Sequence, residues 1–154
     1  MQITRATDYA VRALTHLAML PPSTRLTAGE LAGGNPAPAA RVAKILQRLV
    51  AARLLVSRRG FDGGFALARA PRDVSVLDIV VALEGPLCVN ECLDGGAAGY
   101  AESGSCRART VWARAQAALA AELSSATLEQ LASPSMREPR SSGPDPLRGC
   151  EVRT

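Results

Sequence analysis

The chain has a single histidine, His16, and it stands far from any cysteine; there is no Cys-x-x-Cys pair and no phosphate-binding glycine loop. Nucleophilic, redox and phosphoryl chemistry usually needs such parts, so the residues do not describe an enzyme. No apolar run approaches the ~20 residues that span a bilayer. The opening MQITRATDYAV lacks the apolar core and small-residue cleavage site of a signal peptide. These absences predict a cytoplasmic protein with no membrane partner, and structural disulfides are rare in that compartment. The four cysteines therefore read as metal ligands or redox thiols. No internal repeat is present. Acidic residues are also scarce in one stretch. From Arg41 to Arg72 the bases are Arg41, Lys44, Arg48, Arg53, Arg58, Arg59, Arg69 and Arg72, against Asp62 alone. The formal charge of +4 is modest, but its concentration there points to a polyanion, bound with a steep dependence on salt.

The same stretch has a definite organisation. Thr27 stands three residues before Glu30, the spacing at which two side chains cap each other's free backbone N–H groups, and it opens a short helix. Gly33, Gly34 and Asn35 break that helix, and Pro36 and Pro38 delay the next. Pro38 suits the first turn of a second helix. There Val42, Ile45, Leu46 and Leu49 form a stripe at i, i+3, i+4, i+7, while Arg41, Lys44, Gln47 and Arg48 face away. Such side chains match guanine, adenine and phosphate in a major groove. Leu54-Leu55-Val56-Ser57-Arg58-Arg59, a turn at Gly60–Gly64 and a returning strand Phe65–Ala68 then make a wing, whose tip needs residues at positive φ. The alternative is a helical hairpin with a solvated arginine face. Order of elements, charge and motif together favour a winged helix-turn-helix with a double-stranded DNA operator as partner. The DNA-binding candidates are Thr27, Ala40, Arg41, Lys44, Arg48, Arg58, Arg59 and Gly63.

Before this module, Thr7 or Asp8 is placed to cap a helix from about Tyr9 to Leu20, with Ala10, Ala13, Leu14, Leu17 and Ala18 inward and Pro21-Pro22 as its stop. After it, Ser75 and Asp78 make a capping pair for a helix through Val76, Ile79, Val80 and Leu83, ended by Gly85-Pro86. Residues 87–105 have almost no periodicity; they hold Cys88 and Cys92 and end just before Cys106. A long helix from about Arg107 to Leu123 carries Val111, Trp112, Ala115, Leu119 and Leu123 along one side. Thr127 with Gln130 opens a short last helix. The long helix is more apolar than a lone winged module needs, and a second copy is the expected cover; folding back on its own domain is the alternative. From Ser133 the Pro, Ser, Gly and Arg content predicts disorder. The expected fold is mainly α with a small β wing. Its parts are a DNA-binding domain (1–74), a cysteine loop with dimerisation helices (75–132) and a tail (133–154).

The segments ITRATDYAVRALTHLA, ILQRLVAARLL, SRRGFDGGFALARAP, SVLDIVVALEGPL and CRARTVW together resemble the Rrf2 (Rrf-two) family of bacterial regulators, in its IscR/NsrR-like branch. The resemblance covers roughly residues 1–132. It implies a homodimeric winged-helix transcription factor, a repressor in this reading, with the long helix at the dimer interface. Many members hold an iron–sulfur cluster in the loop before that helix and sense redox, nitric oxide or cluster status. Others use cysteine oxidation or a small ligand. Carried over, Cys92 and Cys106 match the outer two of three cluster cysteines; the middle one is absent, and Cys88 stands as its substitute. Asp8 matches a carboxylate ligand supplied across the dimer. Arg109 occupies a position where some members place a histidine ligand, and arginine does not ligate iron.

The resulting set is Cys88, Cys92, Cys106 and Asp8 for a 2Fe–2S or 4Fe–4S cluster. Thiolates are the preferred ligands of such clusters, and a helix N-terminus at Cys106 favours negative charge there. Three other readings stay open. Zinc accepts the same donors, but Cys-x₃-Cys followed after thirteen residues by one more Cys is loose for a structural site. A thiol–disulfide switch needs only Cys106 with Cys88 or Cys92. The cysteines also suit a loop with no sensor chemistry. Asp8 serves equally as a helix cap, His16 reads as structural, Tyr9 and Trp112 as packing, and Cys150 as incidental. A non-DNA redox protein or a protein-binding winged module remain the rivals from other classes. Sequence-specific, salt-dependent DNA retention separates them from the main reading.

Overall fold

The computed structural model describes residues 3–33, 38–60, 62–93 and 107–134. Helix α1 (Arg5–Ala18) is followed by α2 (Ala28–Ala32) and α3 (Ala39–Ala51), then by a hairpin of β1 (Leu55–Arg58) and β2 (Gly64–Leu67). A 3₁₀ turn (Pro71–Asp73) leads to α4 (Val76–Glu84). A second 3₁₀ turn (Glu91–Leu93) precedes α5 (Ala108–Ser125) and α6 (Leu128–Ala132). The mainly helical fold with a two-stranded wing is the one expected from sequence.

Most of the local signals act where they were read. Thr27 with Glu30, Ser75 with Asp78 and Thr127 with Gln130 all form reciprocal capping boxes at the starts of α2, α4 and α6. Each satisfies otherwise orphaned N–H groups and stabilises its helix by about 1 kcal/mol. Gly60 and Gly64 at the wing tip have φ of 109° and 136°. The hairpin pairs Leu55 with Leu67, Val56 with Ala66, Ser57 with Phe65 and Arg58 with Gly64. The returning strand therefore starts one residue earlier than the sequence suggested. Pro38 is the N-cap of α3 rather than a residue of its first turn.

Helix α1 starts earlier than its sequence suggests. Neither Thr7 nor Asp8 caps it: Thr4 does, accepting from the Ala6 amide, so the helix begins at Arg5 and ends at Ala18. The Thr7 hydroxyl is instead buried and donates to Glu84, and Asp8 pairs with Arg12 one turn on.

One buried cluster holds the fold. Tyr9, Ala10, Ala13, Leu14 and Leu17 of α1 meet Leu31 of α2 and the full stripe Val42, Ile45, Leu46 and Leu49 of α3. Leu55 and Phe65 of the wing, Ile79 and Leu83 of α4 and Leu128 of α6 close the same cluster. Each fully buried leucine contributes about 1.5–3 kcal/mol by leaving water. Among the described residues, two backbone bridges tie distant segments. Leu26 pairs with Phe65, adding a one-residue third strand to the wing, and Ser75 pairs with Thr127, joining the starts of α4 and α6. By contrast α5 buries none of its residues; Val111 is 63% exposed and Trp112 39%.

Candidate nucleic-acid interface and cysteine loop

The core stripe of α3 decides what its other face can offer. With Val42, Ile45, Leu46 and Leu49 buried, Ala40, Arg41, Lys44, Gln47 and Arg48 lie on the exposed side. Arg41 and Lys44 take part in no salt bridge among the described residues. Unpaired charge on a rigid helix is what phosphate or base-edge contact requires. Arg48 differs: its guanidinium donates to the carbonyls of Leu83 and Ala82 at the end of α4. Thr27 is exposed, but its hydroxyl is engaged in the capping box. It accepts from the Glu30 amide at 3.2 Å and donates to Glu30 Oε2 at 2.8 Å. The Thr27 amide, at 2.7 Å, and that hydroxyl hold the Glu30 carboxyl below its ordinary range.

The wing presents Arg58 at the end of β1 and Arg59 just beyond it, both exposed and outside any salt bridge among the described residues. Gly63 closes the tip, its amide donating to the Gly60 carbonyl at 2.9 Å. The wing's base is fastened by the Leu26 bridge, with amide–carbonyl bonds of 3.0 and 2.8 Å to Phe65. Its orientation is thus tied to the chain leading into α2.

The cysteine loop leaves the end of α4. Cys88 and Cys92 are both half-buried and neither is in a disulfide. They are organised around Asn90: the Cys88 thiol donates to its carbonyl at 3.1 Å, and its side-chain oxygen accepts from the Cys92 amide at 3.1 Å. The loop is held on α5 by the Val89 amide donating to Gln116 Oε1 (3.1 Å) and by Arg109 Nε donating to the Cys92 carbonyl (3.3 Å). Arg109 therefore supports the loop's backbone. Asp8 is exposed on α1, 3.2 Å from Arg12 Nε. Cys106, Cys150, the rest of the loop and the tail from residue 135 lie outside the described residues. Among the described residues no three His, Cys, Asp or Glu side chains converge as a metal site. His16 is exposed in the last turn of α1.

Glu84 is the polar residue that sequence reasoning passed over. Its Oε1 accepts from the Thr4 amide (3.2 Å) and from the hydroxyls of Thr4 and Thr7 (2.6 Å each). Partial burial pushes its carboxyl up. The hydrogen bonds from Thr4 and Thr7 and the nearby Arg48 charge outweigh that, leaving it below the ordinary carboxylate value. No spacing signal links residues so far apart. The Asp8–Arg12 pair, in contrast, lies at i, i+4 within one helix.

The comparisons agree with this architecture. The Rrf2 family profile, described as an iron-dependent transcriptional regulator, matches residues 3–134. An HTH-type transcriptional regulator of Mycobacterium tuberculosis (strain H37Rv) is 32% identical over 139 residues, covering 90% of this chain and 85% of the relative. An rrf2-like HTH-type regulator of Rhodobacter capsulatus is 32% identical over 136 residues, 84% of this chain and 91% of its own. Among solved structures, CymR, the global cysteine regulator of B. subtilis, superposes with a TM-score of 0.70 at 26% identity, over 86% of this chain and 96% of CymR. IscR of T. potens gives 0.66 at 25% identity, over 85% of both chains. No helix among the described residues is long and apolar enough to cross a membrane. With the winged module, its unpaired basic face and these relatives in agreement, the chain belongs to the Rrf2 family and is a DNA-binding transcriptional regulator.

Proposed function

We propose that the protein is a homodimeric repressor whose operator affinity is set by its cysteine loop. In this reading residues 1–74 bind DNA and residues 75–132 sense and dimerise. Two copies would place their α3 helices in major grooves about one turn, ~34 Å, apart on a near-palindromic operator. Thr27, Ala40, Arg41, Lys44, Arg58, Arg59 and Gly63 form the DNA-facing set, with Arg41, Lys44, Arg58 and Arg59 supplying the charge. The bare apolar side of α5, with Val111 and Trp112 exposed, supports a second copy as its cover.

The sensor chemistry favoured is an iron–sulfur cluster, 2Fe–2S or 4Fe–4S. The single observation carrying it is the loop after α4, where Cys88 and Cys92, half-buried and free of disulfides, are both organised around Asn90. The donors fit in kind, since soft thiolates are what such clusters require. Cys88, Cys92, Cys106 and the partner subunit's Asp8 would hold the group. When bound it would supply a redox- and nitric-oxide-labile centre. The description of the family as iron-dependent supports this choice. One observation favours a second reading: Asp8 is already paired with Arg12. The same regulator would then work without a cluster, through a thiol–disulfide change or a small ligand; CymR of B. subtilis is a cysteine regulator.

The deciding experiment is a visible absorption spectrum of protein purified without oxygen, with iron and acid-labile sulfide assayed on the same sample. Brown protein that contains both and bleaches with nitric oxide or air supports the cluster. Protein that stays colourless after cluster reconstitution removes it and leaves the thiol or ligand reading.

A further inference from the structure

Arg48 stands on the exposed side of α3, yet its guanidinium turns back into the domain. It donates to the Leu83 carbonyl, and at 3.5 Å to that of Ala82. These carbonyls belong to the last turn of α4, which has no intrahelical donors for them. A cation is favoured at that end of a helix. The next residue, Glu84, is bound by Thr4, the N-cap of α1, and by the buried Thr7. The final turn of α4 is therefore where α1 and α3 are both fastened. From there the chain leaves through Gly85, at φ 88° and ψ −169°, a backbone region nearly closed to residues with a Cβ. Cys88 follows three residues later.

We infer that Arg48 is a positioning residue that couples the cysteine loop to the recognition helix α3, and that it is not a DNA contact. A change in the loop bears on Gly85 and the last turn of α4. Arg48 carries any displacement of that turn to α3, and so to Arg41 and Lys44 on the same helix. This rests on the reading of the loop as the sensor. It requires only that the last turn of α4 have two arrangements that the loop biases. The guanidinium suits the task because its Nη2 alone donates to both adjacent carbonyls.

The test uses the full chain and hydrogen exchange of peptides covering α3 and the end of α4, before and after alkylating the cysteines with iodoacetamide. In the wild type, alkylation should raise exchange in both segments several-fold. In Arg48→Met the α4 response should persist and the α3 response vanish, while Arg48→Lys, which keeps a cationic donor, should restore part of it. Circular dichroism confirms that each variant is folded. An α3 response in Arg48→Met equal to that of the wild type, or no α3 response in the wild type, overturns the coupling. So does a salt slope of operator binding flattened by about one in Arg48→Met, which marks a lost phosphate contact. The sensor reading fails differently: alkylation would then leave the wild-type protein's operator affinity unchanged.

Discussion

Replacing Gly64 by alanine should detach the wing from the body of the domain, and the structure supplies the size of the effect. Gly64 opens β2 at φ 136°. A Cβ there would lie 2.7 Å from the Leu26 carbonyl oxygen and 2.9 Å from its carbon. Those are backbone atoms with no rotamer to retreat into. The unfavourable φ costs about 1–3 kcal/mol. Pushing Leu26 away also breaks the two bonds it shares with Phe65, at 3.0 and 2.8 Å, each contributing about 1 kcal/mol. Part of the strain is relieved when the bridge opens, so the net loss should be about 2–4 kcal/mol. With a urea m-value of about 2 kcal/mol per M, the midpoint should fall by about 1–2 M. Operator affinity should fall with it, because Arg58 and Arg59 lose their fixed orientation. A midpoint within about 0.2 M of the wild type would show that Leu26 does not brace the wing.

Replacing Arg58 and Arg59 together by alanine should weaken binding to every DNA sequence and flatten the slope of log K against log salt by about 1.8, near 0.9 per lost phosphate contact; unchanged affinity and slope would refute the wing's role. Glu84 carries a pH signature. Its folded-state carboxyl lies below its ordinary value of 4.5, so the stability it adds is complete above that value and is lost as pH falls through the lower, folded one. Glu84→Gln, which keeps an acceptor for Thr4 and Thr7, should therefore flatten the acid limb of an unfolding-versus-pH series below about pH 5, and an unaltered limb would sink the assignment. Val111→Glu with Trp112→Glu should reduce the sedimenting mass from about twice 16.1 kDa to 16.1 kDa and lower operator affinity at least about tenfold, since two half-sites are then read separately. A dimer that persists would place the interface elsewhere.

What could be read in advance shares one property, which is that its cause lies within four residues along the chain. The three capping boxes, the buried stripe of α3 and the positive-φ tip of the wing depend on spacings of two to four. Backbone geometry converts such spacings into contacts without help from the rest of the fold. At the start of α1 local spacing does not decide. Thr4, Thr7 and Asp8 all have the side chains of helix caps, and local chemistry ranks them nearly equal. Glu84, 77–80 residues away, binds both hydroxyls, and in addition it holds the Thr4 amide at the start of the helix.

Arg48 shows the same boundary at the candidate site. As a residue type on the polar side of a basic helix it is indistinguishable from Arg41 or Lys44, and composition assigns all three to DNA. Only the packing of α4 beside α3 puts the Leu83 carbonyl within its reach, 35 residues on. By itself, then, the sequence determined the helices, the wing, the basic face and the family, because these follow from short-range geometry and residue chemistry. The tertiary structure decided which caps form, what braces the wing and which arginine turns inward. Those outcomes depend on which distant polar groups share a place in the fold, and unsatisfied groups near the core take the partners they find there.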